Sequence, residues 1–246
     1  MRVGVDARHL DAGRGVAVYL EGMLGALADL HPDDHLALLV PGRAPLGPAG
    51  RALAARPNVR VVRTRAPGRL VFASAALAGE PRLERLLGGG VDVLWAPAAA
   101  PLAFGDVPLV LTVHDRSFED RPQDFTRYER LWHRLARPRG LARRAACVVT
   151  DCAAVRDELR AAWGLERVAV VSPGVRPAAI PRDEMTCDGG YVLFVGALEP
   201  RKDPVALARA AVAAGVPALF AGTGRLAGDV AAAGGRVLGQ SPARMW

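Results

Sequence analysis

Residues 191–204 read YVLFVGALEPRKDP, and this stretch says more about the fold than any other. An apolar run of strand length, residues 191–195, stops at Gly196, and a polar loop then leads to Asp203 and Pro204. Asp favours the N-cap of a helix because its carboxylate accepts from free amides of the first turn. Pro suits the first helical position because no N–H is needed there. The stretch therefore predicts a buried strand, a loop and a helix, the repeating unit of α/β proteins.

The loop of this unit carries two adjacent cations, Arg201 and Lys202, and Lys202 is the only lysine in the chain. Ligands of parallel sheets collect at the carboxyl ends of the strands, and a helix N-terminus favours anions. The pair therefore fits a phosphate group. The alternative is an ordinary strand–loop–helix joint with two solvated charges.

Outward from this unit, apolar runs of strand length alternate with helical stretches rich in Ala, Leu and Arg. Several runs lack polar alternation, which is typical of strands covered on both faces of a parallel sheet. The predicted strands lie at residues 3–5, 36–40, 59–62, 91–95, 109–114, 147–150, 168–171, 191–195, 218–221 and 236–238. The predicted helices lie at residues 16–30, 49–55, 80–87, 126–136, 153–163 and 205–214. This order predicts a doubly wound, Rossmann-like α/β architecture.

A proline-rich segment, SPGVRPAAIPR at residues 172–182, predicts a linker between two domains. Seven predicted strands precede it, enough for a complete N-terminal Rossmann-like domain over residues 1–173. Two strands and a stub follow, so residues 174–246 are expected to form only a partial C-terminal Rossmann-like domain. A sheet that small leaves an unpaired edge and an uncovered face.

The chain carries a formal net charge of +7, which favours anionic partners such as nucleotides, an acidic membrane surface or nucleic acid. Part of the excess is local, between residues 126 and 144, where seven arginines (Arg127, Arg130, Arg134, Arg137, Arg139, Arg143 and Arg144) face one acid, Glu129. Interleaved Leu and Trp residues allow a basic amphipathic patch that touches lipid headgroups, and a solvated helix face is the alternative. A nucleic-acid partner is disfavoured, because the chain offers neither aromatic platforms for bases nor a known reading motif.

Other features point to a cytoplasmic protein with, at most, peripheral contact to the inner face of the plasma membrane. The N-terminus, MRVGVDAR, enters a strand directly without a signal-peptide core, and no apolar stretch reaches the length of a membrane span. Cys147, Cys152 and Cys187 form no CxxC pair, which fits a reducing compartment and predicts no metal site.

Two further loops are candidates for ligand contact. Gly13 and Gly15, in the loop before residues 16–30, would let a ligand approach the backbone and the helix N-terminus. His114 follows the predicted strand at 109–114, and at that edge an imidazole can hydrogen-bond sugar hydroxyls or move protons. A flexible loop and a local structural bond are the respective alternatives.

Taken in order, these segments resemble the family-4 retaining glycosyltransferases of the GT-B fold, most closely a bacterial mannosyltransferase-like branch. The matching segments are VDARHLDAGRGVAVYLEGML at 5–24, VLTVHDRSFEDRP at 110–122, CVVTDCAAVRDELRAAWG at 147–164, VAVVSPGV at 168–175, YVLFVGALEPRKDP at 191–204 and ALFAGTGR at 218–225. The resemblance implies transfer of a hexose from a nucleotide diphosphate sugar to a saccharide or lipid-linked acceptor. It also implies that the donor binds mainly on the C-terminal domain, that the acceptor binds on the N-terminal one, and that no metal or cofactor is bound.

The resemblance also implies roles for single residues. Arg201 and Lys202 match the cations that hold the donor diphosphate, and Gly196 matches the glycine that keeps the phosphates close. His114 matches the histidine that faces the transferred sugar, and Gly15 matches a glycine of the first loop, which approaches donor phosphate or acceptor.

The chain also departs from the family. Asp151 and Cys152 replace a usual Ser-Glu pair, and Ala197 stands where many members have arginine. Members continue into a second glycine-rich loop and a Glu-x7-Glu motif, so a C-terminally truncated chain is expected from the resemblance. Beside a hexosyltransferase, the sequence therefore leaves open a non-catalytic remnant that binds acceptor or partner and, as a weaker alternative, a nucleic-acid binder.

Overall fold

A computed structural model describes residues 1–13, 15–174 and 190–239 of the chain. The chain divides into two compact units, Met1–Gly174 and Val175–Trp246. Both units are built from parallel strands joined by helices, as the alternating apolar runs predict.

The first unit contains a seven-stranded parallel sheet. Its strands are β1 (Arg2–Asp6), β2 (His35–Val40), β3 (Val59–Arg63), β4 (Val93–Ala96), β5 (Leu109–Thr112), β6 (Cys147–Thr150) and β7 (Val168–Val170). They lie in the order β3-β2-β1-β4-β5-β6-β7, and every neighbouring pair is parallel. The chain builds outward from β1 on one side and from β4 on the other, so the strand order reverses between these two strands. In open parallel sheets, ligands bind at the carboxyl edge beside such a reversal of strand order.

The helices of this unit are α1 (Gly15–Leu30), α2 (Pro48–Ala54), α3 (Gly68–Ala78), α4 (Leu83–Leu86), α5 (Ser117–Asp120), α6 (Arg127–Ala136), α7 (Pro138–Arg144) and α8 (Ala153–Trp163). A 3-10 turn, Pro122–Asp124, lies between α5 and α6. The helix α6 begins with a capping box, in which Thr126 Oγ1 accepts from the amide of Glu129 and the Glu129 carboxylate accepts from the amide of Thr126. It ends where Pro138 begins α7, so the arginine-rich segment forms two short helices.

Two hydrophobic cores cover the two faces of this sheet. On one face Leu20 and Leu24 of α1 pack with Val5 and Leu38. On the other face, Leu87 and side chains from four helices (Phe72, Leu83, Leu141, Leu159 and Trp163) pack with Leu94 and Leu111. The strands are therefore buried on both sides, as their continuous apolar runs predict.

The second unit has a three-stranded parallel sheet in the order β10-β9-β8. Its described elements are β8 (Val192–Val195), α9 (Pro204–Ala213), β9 (Ala218–Ala221), α10 (Ala227–Ala232) and β10 (Arg236–Gly239), with a 3-10 turn at Pro200–Lys202. Leu198, Phe220 and Val230 form its core with residues of α9. Leu193 and Val195 of β8 remain about half exposed, at 47% and 49%. The expected buried strand is thus wrong for β8, because α9 and α10 pack on the side of the sheet that carries Phe194 and Phe220.

Several elements differ from the sequence-based expectation. The strand expected at 109–114 ends at Thr112, and the helix expected at 80–87 covers only Leu83–Leu86. The helices α3, α5, α7 and α10 were not predicted, because proline, glycine or a short length masks their helical period. Within the described residues, no helix combines the length and the apolar character that a bilayer crossing requires.

Candidate functional site

The carboxyl edge of the first sheet brings together polar and aromatic side chains from four elements. His114 lies two residues after β5, Pro97 lies directly after β4, and Asp151 lies directly after β6. Tyr19 reaches the same place from the first turns of α1. The group lies at the carboxyl ends of β4, β5 and β6, beside the reversal of strand order at which open parallel sheets bind their ligands.

Both ring nitrogens of His114 are engaged. Nδ1 lies 2.8 Å from Oδ2 of Asp151, and Nε2 lies 2.9 Å from the carbonyl oxygen of Pro97. The side chains of His114 and Asp151 are 22% and 28% exposed, so solvent screens this pair only in part. A ligand that bonds to the imidazole must therefore take the place of one of these two partners. The carbonyl of Pro97 is the weaker of the two because it carries no charge.

Aromatic packing fixes the plane of this imidazole. The Tyr19 ring lies 4.8 Å from it between centroids at an angle of 87°, and the Trp95 ring lies 6.1 Å from Tyr19. Trp95 Nε1 donates to Oγ1 of Thr112 at 3.0 Å. Burial raises the pKa of Tyr19, so its hydroxyl stays protonated at neutral pH.

The loop after β1 is anchored by a single carboxylate. The side chain of Asp11 accepts from the amides of Gly47, Ala49 and Gly50 at 2.8 to 3.2 Å, at the start of α2. The amide of Asp11 in turn donates to Glu21 of α1 at 3.1 Å. These bonds tie the loop to two helices on this side, which disfavours the alternative of a flexible loop.

The two glycines expected in this loop have different reasons to be glycine. Gly13 has a φ of +63°, in the left-handed region that side chains with a Cβ disfavour. Gly15 begins α1, and a Cβ added there would meet no atom within 4 Å. No described part of the protein thus requires a glycine at position 15, whereas a ligand close to the backbone would.

The second unit carries its own glycine-rich carboxyl edge. Gly196 follows β8 with a φ of +148°, a conformation almost confined to glycine. A Cβ on Gly222, which follows β9, would collide with the carbonyl oxygen of Gly196, and a Cβ on Gly224 would collide with that of Leu198. The loops after β8 and β9 therefore pack backbone against backbone, joined by the bond from the amide of Leu198 to the Thr223 carbonyl at 2.9 Å.

The two expected cations lie on the 3-10 turn that follows this loop. Arg201 and Lys202 are exposed, and within the described ranges neither makes an ion pair. Beside them at this edge of the sheet, Glu199 forms an ion pair with Arg225 at 3.1 Å. Pro204 occupies the first position of α9 as predicted. The prediction that the Asp203 carboxylate caps α9 is wrong, because Asp203 has a φ of +48° and its side chain accepts no capping bond.

Among residues 1–13, 15–174 and 190–239 no group of three or more His, Cys, Asp or Glu side chains is placed to hold a metal ion. Cys147 and Cys152 are free thiols, and Cys187 lies outside the described residues.

The sequence-based prediction named His114, Arg201, Lys202 and the glycines as site residues, and it did not name the residues that hold His114. Pro97 and Asp151 each lie directly after a strand next to β5, and the rule that ligand groups follow parallel strands could have found them. No comparable signal marks Tyr19, because its approach depends on how α1 packs on the sheet.

Two Rossmann-like α/β units, each with polar groups at the carboxyl edge of its sheet, define a protein of the GT-B glycosyltransferase fold. The family model of glycosyltransferase family 4 matches residues 13–179, and the chain belongs to this family. The chain is therefore a family-4-like glycosyltransferase. No curated protein sequence matches the chain.

Solved structures show the same fold at low sequence identity. The lipopolysaccharide outer core galactosyltransferase WaaB, in its apo form, aligns with a TM-score of 0.55 at 12% identity over 99% of this chain and 69% of its own. A mutant of TarM from S. aureus, in complex with fondaparinux, alpha-GlcNAc-glycerol and UDP, aligns with a TM-score of 0.59 at 9% identity, over 98% of this chain and 77% of its own. AviGT4, a glycosyltransferase involved in avilamycin A biosynthesis, aligns with a TM-score of 0.52 at 14% identity, over 97% of this chain and 64% of its own.

Proposed function

We propose that this glycosyltransferase moves a hexose, with mannose as the first candidate, from a nucleotide diphosphate sugar to a hydroxyl group of a saccharide or lipid-linked acceptor, with retention of anomeric configuration. The observation that carries the proposal is the cation pair after β8. Arg201 and Lys202 are exposed and make no ion pair with any described residue, so their charge is available to an anion. They follow the loop after β8, which packs against the loop after β9 through glycine backbone.

The chemistry of transfer suits such a pair. When the bond from the sugar C1 to the diphosphate oxygen breaks, negative charge grows on the leaving phosphate, and fixed cations beside it lower the barrier. The acceptor oxygen bonds to C1, and its proton passes to the departing phosphate, so the proposal needs no protein nucleophile. Arg201 and Lys202 supply the charge that a divalent metal supplies in other transferases, and we propose no resident metal or cofactor.

The other candidate residues have separate roles in this proposal. Gly196 keeps the backbone close to the phosphates, Gly13 and Gly15 let donor phosphate or acceptor approach the start of α1, and His114 faces the transferred sugar. The solved complex of TarM holds UDP and a GlcNAc-bearing glycerol. These are the kinds of donor product and glycosylated acceptor that we propose here.

Calorimetric titration with UDP- and GDP-hexoses tests the donor site. We expect Arg201→Ala and Lys202→Ala each to weaken donor binding about tenfold to hundredfold, since a charged hydrogen bond contributes roughly 1.5–3 kcal/mol. Arg209→Ala is the matched control, because Arg209 is an exposed arginine on α9 of the same unit. Donor affinity unchanged in both site variants, or lowered equally in the control, would rule out the assignment.

We also propose that the protein contacts the inner face of the plasma membrane through α6. The exposed side of this helix carries Arg127, Arg130 and Arg134 around Leu131, which is 52% exposed. None of the three arginines makes an ion pair within the described residues. An apolar side chain ringed by cations suits the interface of an anionic membrane.

Vesicle sedimentation tests this surface. The protein should bind phosphatidylglycerol vesicles and not phosphatidylcholine vesicles, with affinity that falls as salt rises. Leu131→Glu should abolish binding. Leu30→Glu, at an exposed leucine that ends α1, should leave binding unchanged. Equal binding to both vesicle types, or equal loss in both variants, would contradict the assignment.

A further inference from the structure

The two ring nitrogens of His114 both face hydrogen-bond acceptors, so the number of protons on the ring decides which contacts it can make. The carbonyl of Pro97 can only accept a hydrogen bond, and an ionised Asp151 can only accept as well. A neutral imidazole has one N–H, so it satisfies one of these partners and turns a lone pair towards the other. The ring therefore holds both partners only as an imidazolium, and a neutral ring must choose between them.

Asp151 is the partner that a neutral ring keeps. Its carboxylate is charged, and a charged acceptor binds an N–H roughly twice as strongly as a neutral carbonyl. Its position is fixed because it follows directly on β6, which pairs with both β5 and β7. Its second carboxylate oxygen, Oδ1, is buried and makes no hydrogen bond within the described chain. The carboxylate of Asp151 is thus satisfied through the bond in which Oδ2 accepts from the N–H of His114.

Other charged groups near the ring do not displace this partner. His9, after β1, is close enough for its charge to be felt at His114, but burial lowers the pKa of His9 and favours its neutral form, with Asp6 acting in the opposite direction. Asp6 is itself paired with Arg8 at 2.6 Å, and both side chains are more than nine-tenths buried. Tyr19 contributes ring packing and stays uncharged.

We propose that Asp151 is the positioning residue for His114: it holds the proton on Nδ1, so that Nε2 is the ring atom offered to the sugar. The carbonyl of Pro97 occupies the place of a ligand hydroxyl, and a neutral ring releases that carbonyl because the Nε2 lone pair repels it. The proposal rests on the transfer function proposed above. It concerns a residue at which this chain departs from the Ser-Glu pattern.

Two measurements test the proposal, and the first needs no activity. In protein with 15N-labelled imidazoles, two-bond 1H–15N correlation at a pH where His114 is neutral reports which nitrogen carries the proton. Wild-type His114 should have its proton on Nδ1. Asp151→Ala should move it to Nε2, which can then donate to Pro97. Asp151→Glu should restore Nδ1, and Asp157→Asn should change nothing, because Asp157 is an exposed carboxylate on α8 paired with Arg156.

The second measurement is hexosyl transfer by the same variants. Asp151→Ala should lower kcat/KM about a hundredfold, the scale expected when a contacting group is misplaced, and Asp151→Glu should recover part of the loss. An unchanged tautomer in Asp151→Ala, or a changed tautomer with undiminished transfer, would overturn the positioning role. An inactive wild-type protein with the expected tautomers would instead count against the proposed function, so the two failures are distinguishable.

Discussion

The two sheets of this protein differ in how much of their surface is covered. In the first unit, helices pack on both faces of seven strands, and Leu111 of β5 is fully buried. In the second unit, α9 and α10 pack on one face of three strands, and Leu193 of β8 is 47% exposed. The same βα unit thus yields a sheet covered on both faces in one place and on one face in the other. Apolar runs of the same length can stabilise the fold to very different extents, because the stabilisation depends on how much apolar surface is buried.

The largest expected effect compares one leucine from each sheet. Leu111→Ala should lower the free energy of unfolding by about 2–5 kcal/mol, because it opens a cavity in a packed core. Leu193→Ala should cost less than about 1 kcal/mol, because the side chain is half exposed already. Denaturant unfolding measures both, and hydrogen exchange assigns each loss to its unit. Equal losses would mean that the face of β8 is covered in solution.

The next comparison concerns the tight packing of loops in the second unit. Gly222→Ala should destabilise that unit by roughly 1–3 kcal/mol, because the new Cβ collides with the carbonyl of Gly196 and forces the backbone to shift. Gly228→Ala, inside α10, meets no atom within 4 Å and should be neutral or stabilising. Hydrogen exchange of residues 190–239 reports the difference. Normal protection in Gly222→Ala would refute the close approach of the two loops.

A third comparison sets the ion pairs of the two units side by side. Glu119 of α5 accepts from Arg139 at 2.8 Å and from Trp163 Nε1 at 2.9 Å. The carboxylate of Glu199 pairs only at the surface with Arg225, where the side chains are 35% and 41% exposed. Glu119→Gln should therefore cost about 1–2 kcal/mol at pH 7, and Glu199→Gln less than about 1 kcal/mol.

The pH dependence of Glu119 sharpens this prediction. Burial alone would raise its pKa, but the bonds from Arg139 and Trp163 outweigh burial, and the pKa is lowered. A carboxyl group whose pKa is lowered by folding stabilises the folded state at pH values above its unfolded pKa, about 4.3. This stabilisation is lost as the pH falls through the folded pKa. The difference in the free energy of unfolding between wild type and Glu119→Gln should thus disappear on acidification. A difference that stays constant from pH 7 to pH 3 would contradict the assigned cause.

The smallest expected effect separates the two glycines of the first loop. Gly13→Ala should cost about 1 kcal/mol, because it places a Cβ in the left-handed region. Gly15→Ala should leave unfolding unchanged, because its Cβ meets open space, yet it should raise the KM of transfer if a ligand approaches there. Thermal unfolding and transfer assays check the pair. A Gly15→Ala protein with unchanged KM would remove Gly15 from the site.

Much of the fold could be predicted from the sequence, since each of the ten strands in the described residues lies close to an apolar run that predicted it. The helix α3 could not be found, because Gly68 opens it and small residues blur its period. In the candidate site, the places of His114, Pro97 and Asp151 after neighbouring strands were predictable, whereas the hydrogen bonds that join them were not. Pro97 and Asp151 lie 17 and 37 positions away from His114 in the chain. Only the pairing of β4, β5 and β6 makes them its neighbours.

The sequence by itself determined the order of the βα units and the place of the cations, because hydrophobic period, proline and glycine act over a few residues. Only the tertiary structure decided which strands are covered on both faces and which carboxylate holds His114. It also decided that Asp203 does not cap α9. These outcomes depend on contacts between residues distant in the chain, and the free energy of such contacts follows from burial and geometry that no local pattern contains.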